Sequence, residues 1–168
     1  MTSKEIVLAS INHIDTGVIP VDIGGCTVTG MHSLAVEKLR RYYGLDYKPV
    51  KVIEPFQMLG EVDEELKTIL EVDVEGITAP KNKFGMYHDA EWKEFRTLYG
   101  QIVLLPGDFN IIIGDDGSHL VFPEGDIKVP PSAKMPPSGY YFDPIIRQEP
   151  INDEDLNVED NLEEFKLI

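Results

Sequence analysis

The sequence predicts an α/β fold with a largely parallel sheet and an inserted antiparallel meander. Three observations predict it. Helix-period and strand-like segments alternate over residues 1–77. The stretch Gly17 to Leu45 reads as one barrel-type strand–loop–helix unit. Residues 101–143 change character, with short apolar runs separated by Pro-Gly, Asp-Asp-Gly and Pro-Glu-Gly turn signals.

Each element has its own signal. Thr2 and Glu5 stand at capping-box spacing, and Ile6, Val7, Ser10, Ile11 and Ile14 share one helical face, predicting a helix to about His13. Val18, Ile19 and Val21 predict a strand over Val18–Asp22. The loop Asp22-Ile23-Gly24-Gly25-Cys26-Thr27 follows. Ser33 then stands where it can N-cap a helix carrying Leu34, Ala35, Leu39 and Tyr42 and stopping near Gly44. Val50–Glu54 alternates as a strand and ends at Pro55. Val62, Leu66, Ile69 and Leu70 mark a third helix, with Asp63, Glu64 and Glu65 at the end where its dipole favours acids. Val72–Ile77 reads as a further strand. In the meander, Asp116-Gly117 between Ile111–Ile113 and Leu120–Phe122 predicts a hairpin, and Tyr140–Phe142 returns as one more strand. The expected organisation is one domain over residues 1–148, then an acidic linker over 149–168 running into the start of a truncated helix.

Composition bounds the function. Thirty acidic residues against fifteen basic ones give a net charge of −15, which argues against nucleic acid or an anionic membrane as partner. Cys26 stands alone, so no internal disulfide can form. There is no signal-like start and no run of the roughly 20 apolar residues that span a bilayer. The expected setting is a reducing cytoplasm.

In α/β proteins ligands bind where loops leave the C-terminal ends of strands. Asp22, Gly24, Gly25, Cys26, Thr27 and His32 are therefore the cleft-lining candidates. Asp22 either faces the cleft or caps the loop. Gly24-Gly25 offers positive φ or close backbone approach. Cys26 reads first as a small packing residue and second as a thiolate ligand, since the nearest imidazole, His32, is six residues on. His32 and Ser33, at a helix start, suit capping better than catalysis. His13, His88 and His119 show no metal-ligand spacing, and Asp115-Asp116-Gly117 reads as a turn rather than a calcium loop. No P-loop, dinucleotide motif or nucleophile elbow is present, and no catalytic residue is assigned.

Several of these segments carry a resemblance: Asn12-His13, Val18-Ile19-Pro20-Val21-Asp22 with Gly24-Gly25, Phe56-Gln57-Met58-Leu59, Val62 to Leu66, Val72-Asp73-Val74, Pro106-Gly107-Asp108 and Tyr140-Tyr141-Phe142-Asp143. Together they resemble the N-terminal part of the uroporphyrinogen decarboxylase superfamily, nearest its cobalamin-linked methyltransferase branch. The resemblance implies the first strands of a (β/α)8 TIM-type barrel, interrupted by the meander, in a chain ending before such a barrel closes. Full-length relatives are enzymes, methyltransferases or carboxy-lyases, and the catalytic half is expected to lie beyond this chain. It also implies methyl transfer involving a corrinoid or thiol acceptor, with a small-molecule or corrinoid substrate. No cofactor is expected on this chain alone; zinc and a corrinoid belong to the full-length relatives, whose His-x-Cys and later Cys ligands have no counterpart here. Uroporphyrinogen decarboxylation in heme biosynthesis is the alternative, weakened because the segment Asp22 to Thr29 has no Arg or Lys to pair substrate carboxylates. A non-catalytic module that docks to a complementary C-terminal half, or to a second copy, is the other alternative.

Overall fold

The computed structural model describes residues 1–88 and 91–148. Helix α1 spans Ser3–Ile11 and is closed by a full capping box: the Thr2 hydroxyl accepts from the Glu5 N–H, and the Glu5 carboxylate accepts from the Thr2 N–H at 2.8 Å. None of its residues is buried. Helix α2 spans Ser33–Tyr42, with Arg40 and Arg41 in the last turn, where a helix dipole favours cations. Its N-cap is His32 rather than Ser33. Helix α3 spans Glu64–Ile69, and the Asp63 carboxylate accepts the Leu66 N–H at 3.1 Å.

The strands form two sheets. The first contains, in spatial order, β1 (Met31–His32), β3 (Leu59–Gly60), β2 (Val50–Glu54), β5 (Ile102–Pro106) and β4 (Trp92–Arg96). Only the β2–β5 pair is parallel. The second sheet is antiparallel throughout: β6 (Ile111–Ile113), β7 (His119–Val121), β8 (Ala133–Met135) and β9 (Asp143–Pro144). The hairpin at Asp116-Gly117 forms, in the register Ile111↔Val121 and Ile113↔His119.

This architecture corrects the expected fold class. Three helices and two mostly antiparallel sheets among the described residues do not make the opening of an α/β TIM-type barrel. The physical reason lies in two predicted strands that never join a ladder. Val18–Asp22 and Val72–Ile77 meet at a single point, where the Val21 N–H donates to the Asp73 carboxylate at 3.0 Å and the Asp73 N–H donates to the Val21 carbonyl at 2.8 Å. Without those parallel neighbours, β2 satisfies its edges with its hairpin partner β3 and with β5, a segment the sequence assigned to the meander. Tyr140–Phe142 likewise forms no strand; β9 begins one residue later and Phe142 turns into the core. The linker and truncated helix expected over 149–168 lie outside the described residues.

Two apolar cores hold the elements. The larger joins both sheets: Val52, Val103 and Leu105 of the first face Val121, Ala133 and Met135 of the second, with Phe109 and Phe142 fully buried between them. The aromatic rings meet edge-on, Phe109 and Phe84 each 6.1 Å from Phe142. The smaller core packs Val36 of α2 and Leu66 of α3 against Val50 and Val62.

Around the smaller core runs an ion-pair network. Arg40, only 4% exposed, binds the Asp63 carboxylate, Glu65 at 3.0 Å and the Asp46 carbonyl at 2.9 Å. Lys48 adds bonds to Asp63 at 3.0 Å and Glu65 at 3.1 Å. Burial alone would raise the Asp63 carboxyl, but the Leu66 N–H, Lys48 and Arg40 together hold it below its ordinary value. Lys48 and then Arg40 lower Glu65 as well. A carboxyl depressed in the folded state adds stability above its unfolded value, near 4, and that stability is lost as pH falls through the folded value. Arg40→Met is therefore expected to cost about 2 kcal/mol at neutral pH, less than a fully enclosed pair because Asp63 keeps Lys48 and some water. Thermal melts against pH check this: the acid-side loss of stability should flatten in the variant, and an unchanged slope would exclude the network as its source.

Candidate functional site

The segment after Val21 folds into a closed loop built on two side chains. The Asp22 carboxylate accepts the Gly25 N–H at 3.0 Å and the Thr29 hydroxyl at 3.1 Å. The Thr29 carbonyl accepts the Gly24 N–H at 2.9 Å, and its hydroxyl oxygen accepts the Cys26 N–H at 3.2 Å. Gly24 sits at φ +86°, a conformation that side chains rarely adopt. The residues after Val72 press against this loop so closely that a Cβ on Gly76 would lie 2.3 Å from the Gly25 carbonyl oxygen.

Beneath the loop lies a cavity of about 300 Å³. Gly24, Gly25, Cys26 and Thr27 form one wall. The floor is β2 and β3, through Ile53, Glu54, Leu59 and Gly60. The opposite wall comes from a small turn after Pro80, where Lys81 bridges to Tyr87 and the Asn82 side-chain oxygen accepts the Phe84 and Met86 N–H groups at 2.9 and 3.2 Å. Phe84 and Met86 root that turn in the large core, which leaves Lys81, Asn82, Lys83 and His88 on the cavity side.

Four of the six residues expected in a cleft thus line one cavity. Asp22 does not; its carboxylate is spent organising the loop. His32 does not either. Its Nδ1 accepts the Leu34 N–H at 3.2 Å as helix cap, so its Nε2 carries the proton and donates to the Tyr140 carbonyl at 2.8 Å. Tyr99 packs 5.5 Å from the imidazole and stacks on Tyr140 at 5.2 Å, and burial raises the Tyr99 phenol. The sequence reading missed Ile53, Glu54, Leu59 and the whole 81–88 wall.

The Cys26 thiol is exposed at the rim, 3.6 Å from the Thr29 hydroxyl. Hydrogen bonding to Thr29, through the side chain and then the backbone, and to the Val28 backbone lowers the thiol against the opposing effects of burial and of Asp22. Among the described residues no group of three or more His, Cys, Asp or Glu side chains is placed to hold a metal ion. No helix among them is long and apolar enough to cross a membrane. Comparison with known proteins gives no match: no family model fits the chain, and no curated protein or solved structure shows significant similarity to it.

The lowered thiol yields a direct expectation. Thiolate is the reactive form, so alkylation of Cys26 by iodoacetamide should reach half its limiting rate at a lower pH than for an unperturbed thiol. Thr29→Val should move that midpoint upward and Thr29→Ser should largely restore it. Coincident pH profiles for all three proteins would refute the role given to Thr29.

Proposed function

We propose that this chain is part of a uroporphyrinogen decarboxylase-like methyltransferase and that the cavity under the Asp22–Thr29 loop seats the small molecule that gives or accepts the methyl group. The observation that carries the reading is that Gly24 and Gly25, which bear part of the family resemblance, cover together with Cys26 and Thr27 a cavity whose floor presents Ile53 and Leu59. Sites of that kind, a concave apolar surface with a few polar groups, are the usual seats of small ligands. A volume of about 300 Å³ suits a compact molecule and not a tetrapyrrole with eight carboxylates, so the reading favours methyl transfer over porphyrin decarboxylation. For the same reason a corrinoid does not fit within the cavity, and the described residues offer no metal-ligand set for zinc. This chain's part is to bind, orient and exclude water. We place this activity in the cytoplasm, consistent with a lone cysteine at an exposed position.

A second copy or a complementary chain is part of the same reading, favoured by α1, whose Leu8 and Ile11 stand exposed on a helix with no buried residue. Sedimentation should then depend on protein concentration or on the added partner; a profile independent of both removes the association.

The activity test follows the cobalamin spectrum during methyl transfer to a panel of small thiols. It is run with the 168-residue chain alone and complemented by the product encoded directly downstream. Turnover is expected in the complemented reaction, reduced at least about tenfold by Gly76→Val, which displaces the loop from its seat. Release of carbon dioxide from uroporphyrinogen, or no cobalamin change under either condition, would overturn the reading.

A further inference from the structure

We infer that the cavity selects a small ligand pairing an anionic oxygen group, such as a carboxylate, with an apolar body. The inference rests on the reading of this cavity as the ligand seat and adds the ligand's chemistry to it.

Among the described residues Glu54 is the only carboxylate on the lining, and both its oxygens are engaged, accepting the Phe56 N–H at 3.3 Å and the Gln57 N–H at 2.8 Å. The Asn82 side-chain oxygen is likewise used twice, and its amide nitrogen is a buried donor with no partner among the described residues. Buried donors are rarely left in that state. Lys81 is committed to Glu124 at 2.8 Å and to the Tyr87 ring face. Lys83 is different. Its ammonium lies 5.2 Å from the centre of the Phe56 ring, and it makes no ion pair among the described residues. The surplus on this wall among the described residues is therefore one of positive charge, carried by Lys83, in a chain with twice as many acids as bases.

The opposite requirement comes from the floor. Ile53 and Leu59 offer apolar surface that a bare anion would leave in contact with water, so an apolar body attached to the anionic group gains from both walls. Charge-assisted hydrogen bonds are roughly twice as strong as neutral ones, so the ammonium, more than the floor, sets the preference between charged and uncharged ligands of one shape.

The test titrates the full chain with benzoate, benzamide and acetate by calorimetry, in the native protein and in Lys83→Gln. Lys83 is exposed, so its replacement leaves the cores untouched. Benzoate is expected to bind roughly tenfold more tightly than benzamide, in keeping with a charge-assisted bond, and more tightly than acetate. Lys83→Gln should remove that tenfold advantage while leaving benzamide unchanged, and added salt should narrow it as well. Equal binding of benzoate and benzamide, or an unaltered benzoate affinity in Lys83→Gln, would overturn the charge preference alone. Acetate matching benzoate would overturn the apolar part. Failure of all three to bind would take the cavity's role as ligand seat with it. Charge selectivity without methyl transfer would leave this inference standing and sink only the proposed activity.

Discussion

The turn from Glu54 to Leu59 is the constraint on which the other parts depend. Four residues, Pro55 to Met58, must reverse the chain between β2 and β3, and the buried Glu54 carboxylate makes this workable by accepting two of the backbone N–H groups that the reversal orphans. Met58 takes a positive φ of 57° within the turn while its side chain is fully buried, so packing holds a backbone conformation that side chains disfavour. From this turn three connections radiate. The Met58 carbonyl accepts the Ser33 N–H at 2.9 Å and fixes the start of α2. The Phe56 carbonyl accepts the Phe142 N–H at 2.8 Å and ties in the second sheet. Leu59 and Gly60 form the floor of the cavity.

Seen from that turn, the cavity is an assembly of three chain segments that share no ladder. The glycine loop is braced internally by Asp22 and Thr29, the floor belongs to the first sheet, and the lysine wall is anchored through Phe84 and Met86 in the core between the sheets. Each wall is stabilised by a different means: local hydrogen bonds, strand pairing and apolar burial. The glycine loop is seated where Gly25 meets Gly76, and across the cavity the Lys83 ammonium lies over the Phe56 ring. Small residues at the first contact and a cation over an aromatic face at the second allow close approach without interlocking side chains.

What could be read from sequence followed the range of the interactions involved. All three helices were legible because their signals are local: the Thr2–Glu5 capping box, the face through Leu34, Ala35, Leu39 and Tyr42, and the acids Asp63 to Glu65 at a helix start act within a few residues. The Asp116-Gly117 hairpin was legible for the same reason. The parallel pairing of β2 with β5 was not, because some fifty residues separate the partners and nothing in either strand names the other. Apolar runs such as Val18–Val21 and Val72–Ile77 fit a strand period equally well whether or not a neighbour is there to pair with them. The loop half of the cavity could be anticipated from Gly24-Gly25, whereas Lys83 reaches it only because Phe84 and Met86 are drawn into the core.

The cavity also separates two properties, ligand charge preference and thiol acidity, that a shared electrostatic origin would join. A positive wall would favour both an anionic ligand and a thiolate at Cys26. Yet the groups that lower the thiol are the hydrogen-bonding partners in its own loop, and the one charge that acts on it, Asp22, opposes the effect. Thiol acidity is thus a property of the Asp22–Thr29 loop, carried by hydrogen bonds that work at a few ångströms, whereas the preference for a charged ligand belongs to the Lys83 side. The two can change independently. A substitution at Thr29 alters what Cys26 can do without altering which ligands the opposite wall attracts, and a substitution at Lys83 does the reverse. Such a division suits a site that must hold one partner by charge while leaving the reactivity of its rim to be set by the backbone around it.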